Sequence, residues 1–363
     1  MYELANRVTA SQLTAIAAQA YSEMLVAGYT AVAEFHYLHG DPAGDGDAMF
    51  AAVQAAARQA GIRLVYVPVL YERAGFEQHE PLARQRRFVM SRAAFLEHHA
   101  RCTAAASELT TVAIGAHSLR AVSAPSLQAL AEYARDRELP MHLHVAEQTA
   151  EVEQCVQNTG QRPVAWLLEN LAVDARWCLV HATHIDADET VALAKSGAVV
   201  CLCPSTEANL GDGLFPLRDF LAQGGRIAIG SDSQVSINPF EELRWLEYGQ
   251  RLVHRARNIA SLQHSHVGRE LFDRVVAGGA RAGALAGGGL TLGGAADFVS
   301  LCADDPMLLG HDDDALLDAL VFSGYRLPID RVMVDGEWRV IAGRHVASAA
   351  VHRDFAAVMS ALQ

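Results

Sequence analysis

The sequence predicts an α/β protein built as a (β/α)8 TIM-like barrel, followed by a small β-rich module at the C-terminus. Short apolar runs alternate with helical patterns over most of the 363 residues, which is typical of parallel βαβ units. Polar side chains end many of these runs, and the functional groups of barrels lie at the carboxyl ends of the strands. Near the C-terminus the pattern changes to strand-like segments with turn residues between them.

The alternating part contains seven β-like runs, at residues 29–35, 62–70, 112–117, 141–145, 177–181, 198–203 and 226–230. Helices are predicted at residues 13–27, 48–60, 88–107, 126–136, 162–171, 187–196, 217–223, 241–257 and 268–286. A barrel needs eight strands. Because the chain opens on a helix, the absent strand would be the first. An open doubly wound sheet needs no eighth strand and is the alternative.

The C-terminal region is predicted to be rich in strands. Residues 290–293, 296–301 and 331–344 are strand-like, and the last of these contains Asp335-Gly336, a dipeptide typical of two-residue hairpin turns. We therefore divide the chain into a barrel domain, residues 1–287, and a β-rich module with a terminal helix, residues 288–363.

The amino-acid composition indicates which kinds of molecule the protein can bind. The formal net charge of −13 disfavours nucleic acid and anionic membranes, and no apolar run is long enough to span a bilayer. The N-terminus lacks the basic-then-apolar pattern of a secretory signal. The six cysteines include no CxxC pair, which favours reduced thiols and a cytoplasmic location. A small molecule is the expected partner.

Four polar residues at strand ends predict one catalytic site. His144 ends one apolar run and Glu147 follows it, while His181 and Asp232 follow later runs. An imidazole and a carboxylate at the end of a barrel strand suit a metal-dependent hydrolase. Each has a simpler interpretation: a hydrogen-bonded core histidine, a solvated acid at a helix start, or an N-cap aspartate. His142, two residues before His144, is assigned to packing or to a hydrogen bond that supports the site.

Longer segments resemble a known family. Residues 142–148, 179–184, 203–213 and 230–233 together resemble the amidohydrolase superfamily. Residues 207–213 followed by 241–248 are similar to formimidoylglutamate deiminases of histidine degradation. The resemblance covers essentially the whole chain. In that family a β-rich segment and a first barrel strand with His-x-His come before the point where this chain begins, so we expect the chain to lack that segment.

The resemblance implies a role for each residue of the predicted site. His144 and Asp232 would bind Zn²⁺, with one ion per chain expected for a full-length family member. Asp232 and Glu147 would move protons, and His181 would hydrogen-bond the attacking water or the tetrahedral centre. His184 is a competing candidate for the last role.

Five further residues are candidates for substrate binding. Arg120, which with His117 ends the third apolar run, would hold a carboxylate in a bidentate manner. Tyr71 ends another run, Ser233 follows the aspartate of the site, and Asn209 lies on a predicted loop. The alternatives are a surface role for the arginine and core packing for the tyrosine.

The expected activity is hydrolysis of N-formimino-L-glutamate, an acidic small molecule, to N-formyl-L-glutamate and ammonia. One alternative is a deaminase or chlorohydrolase of the same superfamily that acts on a heterocycle. The other is a truncated chain without activity, because a barrel without its first strand exposes unpaired backbone groups and retains only two of the four expected ligands. Such exposed edges would favour association, for which a homodimer is the expected form.

Overall fold

The computed structural model describes residues 2–42, 44, 46–77, 80–286, 289–324 and 326–362. The chain divides into two compact units. The first unit comprises Met1–Ala134, Ala295–Ser300 and Ile329–Gln363, and the second comprises Arg135–Gly294 and Leu301–Pro328. The domain boundary predicted between residues 287 and 288 lies outside the described residues. Within the described ranges, no helix combines the length and the apolar character needed to cross a membrane.

The helices and strands follow the alternation expected from the sequence. The helices are α1 Tyr2–Arg7, α2 Ala10–Val26, α3 Ala48–Ala60, α4 Arg92–Ala104, α5 Ala124–Asp136, α6 Thr149–Thr159, α7 Pro163–Asn170, α8 Ala187–Ser196, α9 Pro204–Leu210, α10 Leu217–Ala222, α11 Pro239–His254, α12 Val267–Ala282, α13 Asp313–Phe322 and α14 Ser348–Leu362. The strands are β1 Ala31–His36, β2 Arg63–Leu70, β3 Thr110–Val112, β4 Ile114–Ala116, β5 Met141–Val145, β6 Trp177–His181, β7 Val199–Leu202, β8 Arg226–Ile229, β9 Phe298–Leu301, β10 Ile329–Val334, β11 Glu337–Ile341 and β12 Arg344–His345.

In the first unit, β2 is paired in parallel with β1 on one side and with β3 and β4 on the other. The third predicted strand is therefore present but interrupted at Ala113. Both of its pieces keep the same register against β2. The interruption lies beside Pro68 of β2, which has no N–H to donate to a neighbouring strand.

The C-terminal strands form an antiparallel sheet in the order β12-β11-β10-β9. Asp335 and Gly336 connect β10 to β11 with φ angles of 54° and 79°. Two successive left-handed residues are the requirement of a tight hairpin turn, so that prediction is confirmed. The strand predicted at residues 290–293 is wrong, because this segment forms a turn with Leu290 and Leu292 exposed. Without a neighbouring strand, its apolar residues have nothing to pair with.

In the second unit, strands β5 to β8 pair in parallel and in sequence order. The side chains of β5 to β7 are almost entirely buried, as expected for strands covered on both faces. The loop predicted at Asn209 is wrong, because this residue lies on helix α9. Proline at the first helical position is favourable, and Gly211, with φ of 74°, ends the helix.

Helix α12 packs against β8 through a glycine. A Cβ atom on Gly278 would lie 1.8 Å from the carbonyl oxygen of Ile227, whereas a Cβ on Gly279 would meet no atom within 4 Å. A side chain therefore fits at position 279 but not at position 278. Only Gly278 is required for the close approach of the helix backbone to the strand.

We predict opposite effects for alanine at these two positions. Gly278→Ala should lower the free energy of unfolding by about 1–3 kcal/mol or more, because the helix must move away from the strand. Gly279→Ala is the matched control and should leave stability unchanged or raise it by up to about 1 kcal/mol, the helix propensity gain. Urea denaturation of both variants measures the difference. Equal effects would show that the backbone contact does not limit this packing.

Candidate active site

The candidate site lies in the second unit, where β5, β6 and β8 end. His144 of β5 and His181 of β6 are on adjacent strands, and their rings stack with centroids 5.3 Å apart and planes inclined by 17°. Glu147 follows β5 and Asp232 follows β8. The structure thus brings together the four residues that the sequence predicted as one site.

His181 is the centre of this group. The residue is buried, and its Nδ1 atom donates to Oε1 of Glu207 at 3.2 Å. Its Nε2 atom lies 3.8 Å from Oε1 of Glu147 and 3.8 Å from Oδ2 of Asp232. Burial alone would lower the pKa of His181, but the bond to Glu207 and the three negative charges outweigh it and raise that pKa to about 9.

Asp232 lies at the solvent side of the site, with about a third of its side chain exposed (35%). Desolvation of its carboxyl group raises the pKa of Asp232, and the nearby His181 opposes this shift. Asp232 does not cap a helix, because it occupies a turn between β8 and α11. The N-cap interpretation of this residue therefore does not apply.

The backbone at the strand ends is strained. Ala146, His181, Ala182 and Asp232 have φ angles of 49°, 68°, 50° and 41°, values that non-glycine residues rarely adopt. Each such residue costs about 1–3 kcal/mol and persists only where its surroundings enforce it. Strain of this kind concentrates at functional sites, and here it occurs at the ends of three different strands.

Two buried glutamates hold the strained segments in place. Glu151 accepts hydrogen bonds from the N–H groups of Ala146 and Glu147, at 3.2 and 3.1 Å. Glu207 accepts one from the N–H group of Cys203 at 2.9 Å, in addition to its bond with His181. Neither glutamate was predicted as a site residue. The available signal was an acid within the first turn of a helix directly after a strand.

The donor atoms of the site fit a divalent metal ion. One ligand atom each from His181, Cys203 and Asp232 lie within 4.8 Å of one another, and nitrogen, sulfur and carboxylate oxygen are the donors that zinc accepts. The sequence did not single out Cys203. Hydrogen bonding with Cys201 and burial raise the pKa of the Cys203 thiol, whereas a metal ligand must be the thiolate. The raised pKa of His181 likewise favours its protonated ring, so the Asp232 carboxylate is the best donor of the three in this arrangement.

Of the other predicted residues in the second unit, some form hydrogen bonds within the protein and one is exposed. The Oγ atoms of Ser233 and Thr206 are hydrogen-bonded at 2.9 Å, which ties the turn that carries Asp232 to helix α9. Asn209 is exposed on the same helix. His184 donates from Nε2 to the carbonyl oxygen of Asp212 at 2.7 Å. His142 is buried and donates to the carbonyl oxygen of Ala282 at 2.9 Å.

The remaining predicted substrate residues lie together in the first unit. The rings of Tyr71 and His117 are 4.8 Å apart, and the Tyr71 hydroxyl accepts a hydrogen bond from Gln85 at 2.8 Å. Burial, assisted by the charge of Arg120, lowers the pKa of His117 to about 3. Among the hydrogen bonds and ion pairs of the described residues, none involves the guanidinium group of Arg120.

Comparison with known proteins identifies the class of protein. The model of the amidohydrolase family matches residues 1–339, and the chain belongs to this family. An amidohydrolase from Brucella melitensis has a solved structure that superimposes with a TM-score of 0.92 at 42% identity, covering 100% of this chain and 81% of that one. The predicted fold class, a barrel of the metal-dependent hydrolase type with a β-rich module, is thereby confirmed.

Among curated relatives, formimidoylglutamate deiminase of Pseudomonas aeruginosa is 47% identical over 368 residues, which cover 100% of this chain and 81% of the relative. The 8-oxoguanine deaminase of the same organism is 29% identical, over 94% of this chain and 75% of that relative. The structure of atrazine chlorohydrolase from Arthrobacter aurescens, complexed with zinc, has a TM-score of 0.85 at 22% identity, with 98% and 78% coverage.

We predict that Glu207 positions His181. Glu207→Ala leaves two buried donors without an acceptor, which should lower the free energy of unfolding by about 2–4 kcal/mol. Glu207→Gln retains an oxygen acceptor and should keep most of the stability. The pKa of His181, read from ¹⁵N chemical shifts over a pH titration, should be about 9 in the parent chain and lower in Glu207→Ala, because the variant loses a hydrogen-bond acceptor and a negative charge beside the ring.

Glu153→Ala, at an exposed position of α6, is the control and should change neither stability nor the pKa of His181. An unchanged pKa of His181 in folded Glu207→Ala would contradict the positioning role.

Proposed function

We propose that this protein is a hydrolase that removes the imino nitrogen of N-formimino-L-glutamate. Water adds to the formimino carbon, the bond to the terminal nitrogen breaks, and N-formyl-L-glutamate and ammonia are formed. The observation that carries this proposal is the 47% identity to formimidoylglutamate deiminase along the whole chain. The residue types that this reaction needs are grouped in one site, formed by His144, Glu147, His181 and Asp232.

The proposed cofactor is one Zn²⁺ per chain, with His144 and Asp232 as its protein ligands in this chain. Asp232 belongs to the group of three donor atoms that fits zinc, and His144 ends β5 with its ring stacked on that of His181. A chlorohydrolase of similar fold has been solved with zinc bound. A bound divalent ion lowers the pKa of water and so supplies a nucleophile at neutral pH.

Two carboxylates are placed to move protons. Glu147 and Asp232 both lie 3.8 Å from the same nitrogen of His181, so they face one reacting centre. We assign Asp232 to accept the first proton of the attacking water, and Glu147 to take the remaining hydroxyl proton and deliver it to the departing nitrogen. Transfer by a positioned carboxylate typically contributes about 10²–10⁴ in rate.

The chemistry of the substrate explains the need for an acid. An amidine carbon is a poor electrophile unless the group is protonated, and ammonia leaves only after its nitrogen has received a proton. The N–H group of Glu147 donates a hydrogen bond to the Glu151 carboxylate. This bond keeps the Glu147 side chain near the site, where its carboxylate would stabilise the protonated amidine. His181, with Nδ1–H bonded to Glu207, directs Nε2 toward the same centre and would stabilise the tetrahedral species.

The predicted substrate residues would bind the glutamate portion of N-formimino-L-glutamate. Arg120 would bind a carboxylate, because its guanidinium group is not engaged in the described part of the chain and suits bidentate recognition. Tyr71 and His117 would accompany it. Ser233 and Asn209 are further candidates for contacts with the substrate. A homodimer and a cytoplasmic location are further proposals that rest on the sequence.

A second candidate function is deamination of a heterocycle. Rings of Phe35, Tyr37, Tyr71, Phe88 and His117 contact one another in the first unit, and planar heterocycles stack on such rings. The 29% identity to 8-oxoguanine deaminase points in the same direction but more weakly.

We predict that Glu147→Gln lowers kcat for ammonia release from N-formimino-L-glutamate by about 10²–10⁴-fold, because the amide cannot exchange protons. Glu153→Gln, at an exposed position on α6, is the control and should be unaffected. Ammonia release from 8-oxoguanine is measured in parallel. Release from the heterocycle but not from the formimino compound would overturn the proposed substrate in favour of the second candidate.

We predict that the metal content depends on His144. The purified chain should contain one zinc ion by elemental analysis, and His144→Ala should lose most of it, because an imidazole ligand is removed. His352→Ala, which removes an exposed histidine of α14, should retain the metal. Equal zinc content in both variants would contradict the assignment of His144.

A further inference from the structure

The second unit contains a cavity of about 300 Å³ that includes none of the residues of the candidate active site. Its walls come from α11, the segment between α11 and α12, and α13. The polar groups that line it belong to Arg251, Asn258, Ser265, His311, Asp318 and Ser323. This volume is at the small end of ligand pockets, which begin at about 300 Å³.

Arg251 is held rigidly at one wall. Its Nε atom donates to Oε1 of Glu247 at 2.7 Å, and Glu247 is fully buried. The guanidinium carbon lies 4.8 Å from the ring centre of Phe322 and 5.4 Å from that of Tyr248. Neither Nη atom donates a hydrogen bond to any described residue, so a fixed edge with four N–H donors remains available to a ligand.

The carboxylate of Asp318 is held just as firmly. Its Oδ1 atom accepts a hydrogen bond from the N–H group of Gly268 and its Oδ2 atom accepts one from Nδ1 of His266, both at 2.6 Å. A carboxylate has about four acceptor positions, so each oxygen can accept another bond. Within the described residues, Arg251 and Asp318 form no ion pair with each other.

The cavity therefore presents the fixed guanidinium group of Arg251 and the fixed carboxylate of Asp318. Each is held by residues other than its counterpart. Charges in a partly desolvated space favour a ligand of complementary charge. Glu247 offsets part of the charge of Arg251, and Asp318 repels a simple anion, so neither a simple anion nor a simple cation matches both groups of the cavity. A small molecule that carries both charges satisfies both groups.

We propose that this cavity is a binding site for a small zwitterion of the α-amino acid class. The carboxylate of the ligand binds the Nη edge of Arg251, and its ammonium group binds Asp318. The amide of Asn258 and the hydroxyl groups of Ser265 and Ser323 provide partners for a short polar side chain. The site is separate from the proposed deiminase activity and does not depend on it.

The test is isothermal titration calorimetry of the full chain with L-serine. Saturable binding with one site per chain is expected. Propionate, which lacks the ammonium group, and ethanolamine, which lacks the carboxylate, should each bind at least about tenfold more weakly, a loss of about 1.4 kcal/mol. Because the readout is heat of binding, failure of this proposal is distinguishable from failure of the deiminase proposal.

Three variants locate the site. Arg251→Lys keeps a charge beside Glu247 but loses the planar edge, Asp318→Asn removes the negative charge, and Ala315→Leu fills the cavity without altering either charged group. Each should weaken L-serine binding at least about tenfold, with folding checked by thermal denaturation. Arg257→Met, at an exposed residue outside the cavity, is the control and should bind normally.

The absence of saturable L-serine binding by the parent chain at millimolar concentrations would overturn the proposal. Equal binding of L-serine, propionate and ethanolamine would also overturn it, as would unchanged binding by folded Ala315→Leu.

Discussion

Buried glutamates that accept hydrogen bonds from loop N–H groups are the constraint on which the second unit depends. Glu151, Glu207 and Glu247 each receive at least one backbone N–H bond from a loop or strand end. Glu242 does the same with Ser205, and burial raises the pKa of Glu242 to about 7 despite these bonds. A buried carboxylate is costly without such donors, so these loops can adopt few other positions.

The same buried glutamates that stabilise the loops also orient the residues of the candidate active site. Glu151 holds the strained segment that carries Glu147, and Glu207 holds both the end of β7 and the ring of His181. The unusual φ angles at the strand ends persist because these bonds offset their cost. At the cavity lined by Arg251 and Asp318, Glu247 restrains Arg251 in the same way. The functional groups are therefore oriented before a ligand arrives, which lowers the entropic cost of binding.

The sequence predicted the parallel strands well because their apolar runs are bounded by glycine, proline and polar residues. The ends of β5 and β6 agree with the predicted residues 141–145 and 177–181. Helix α9 was missed because seven residues are too short to show helical periodicity. Helix α4 begins at Arg92, four residues later than predicted, where Ser91 caps it. Helix ends depend on caps that periodicity does not reveal.

The sequence by itself determined which residues stand at the strand ends, and so it determined the candidates His144, Glu147, His181 and Asp232. This was possible because strand ends are local features and parallel strands end at one face of a sheet. Only the tertiary structure showed that Glu207 bonds to His181 and that Arg251 shares a cavity with Asp318. Those relations join residues far apart in the chain. They depend on how helices pack, and no local pattern encodes that packing.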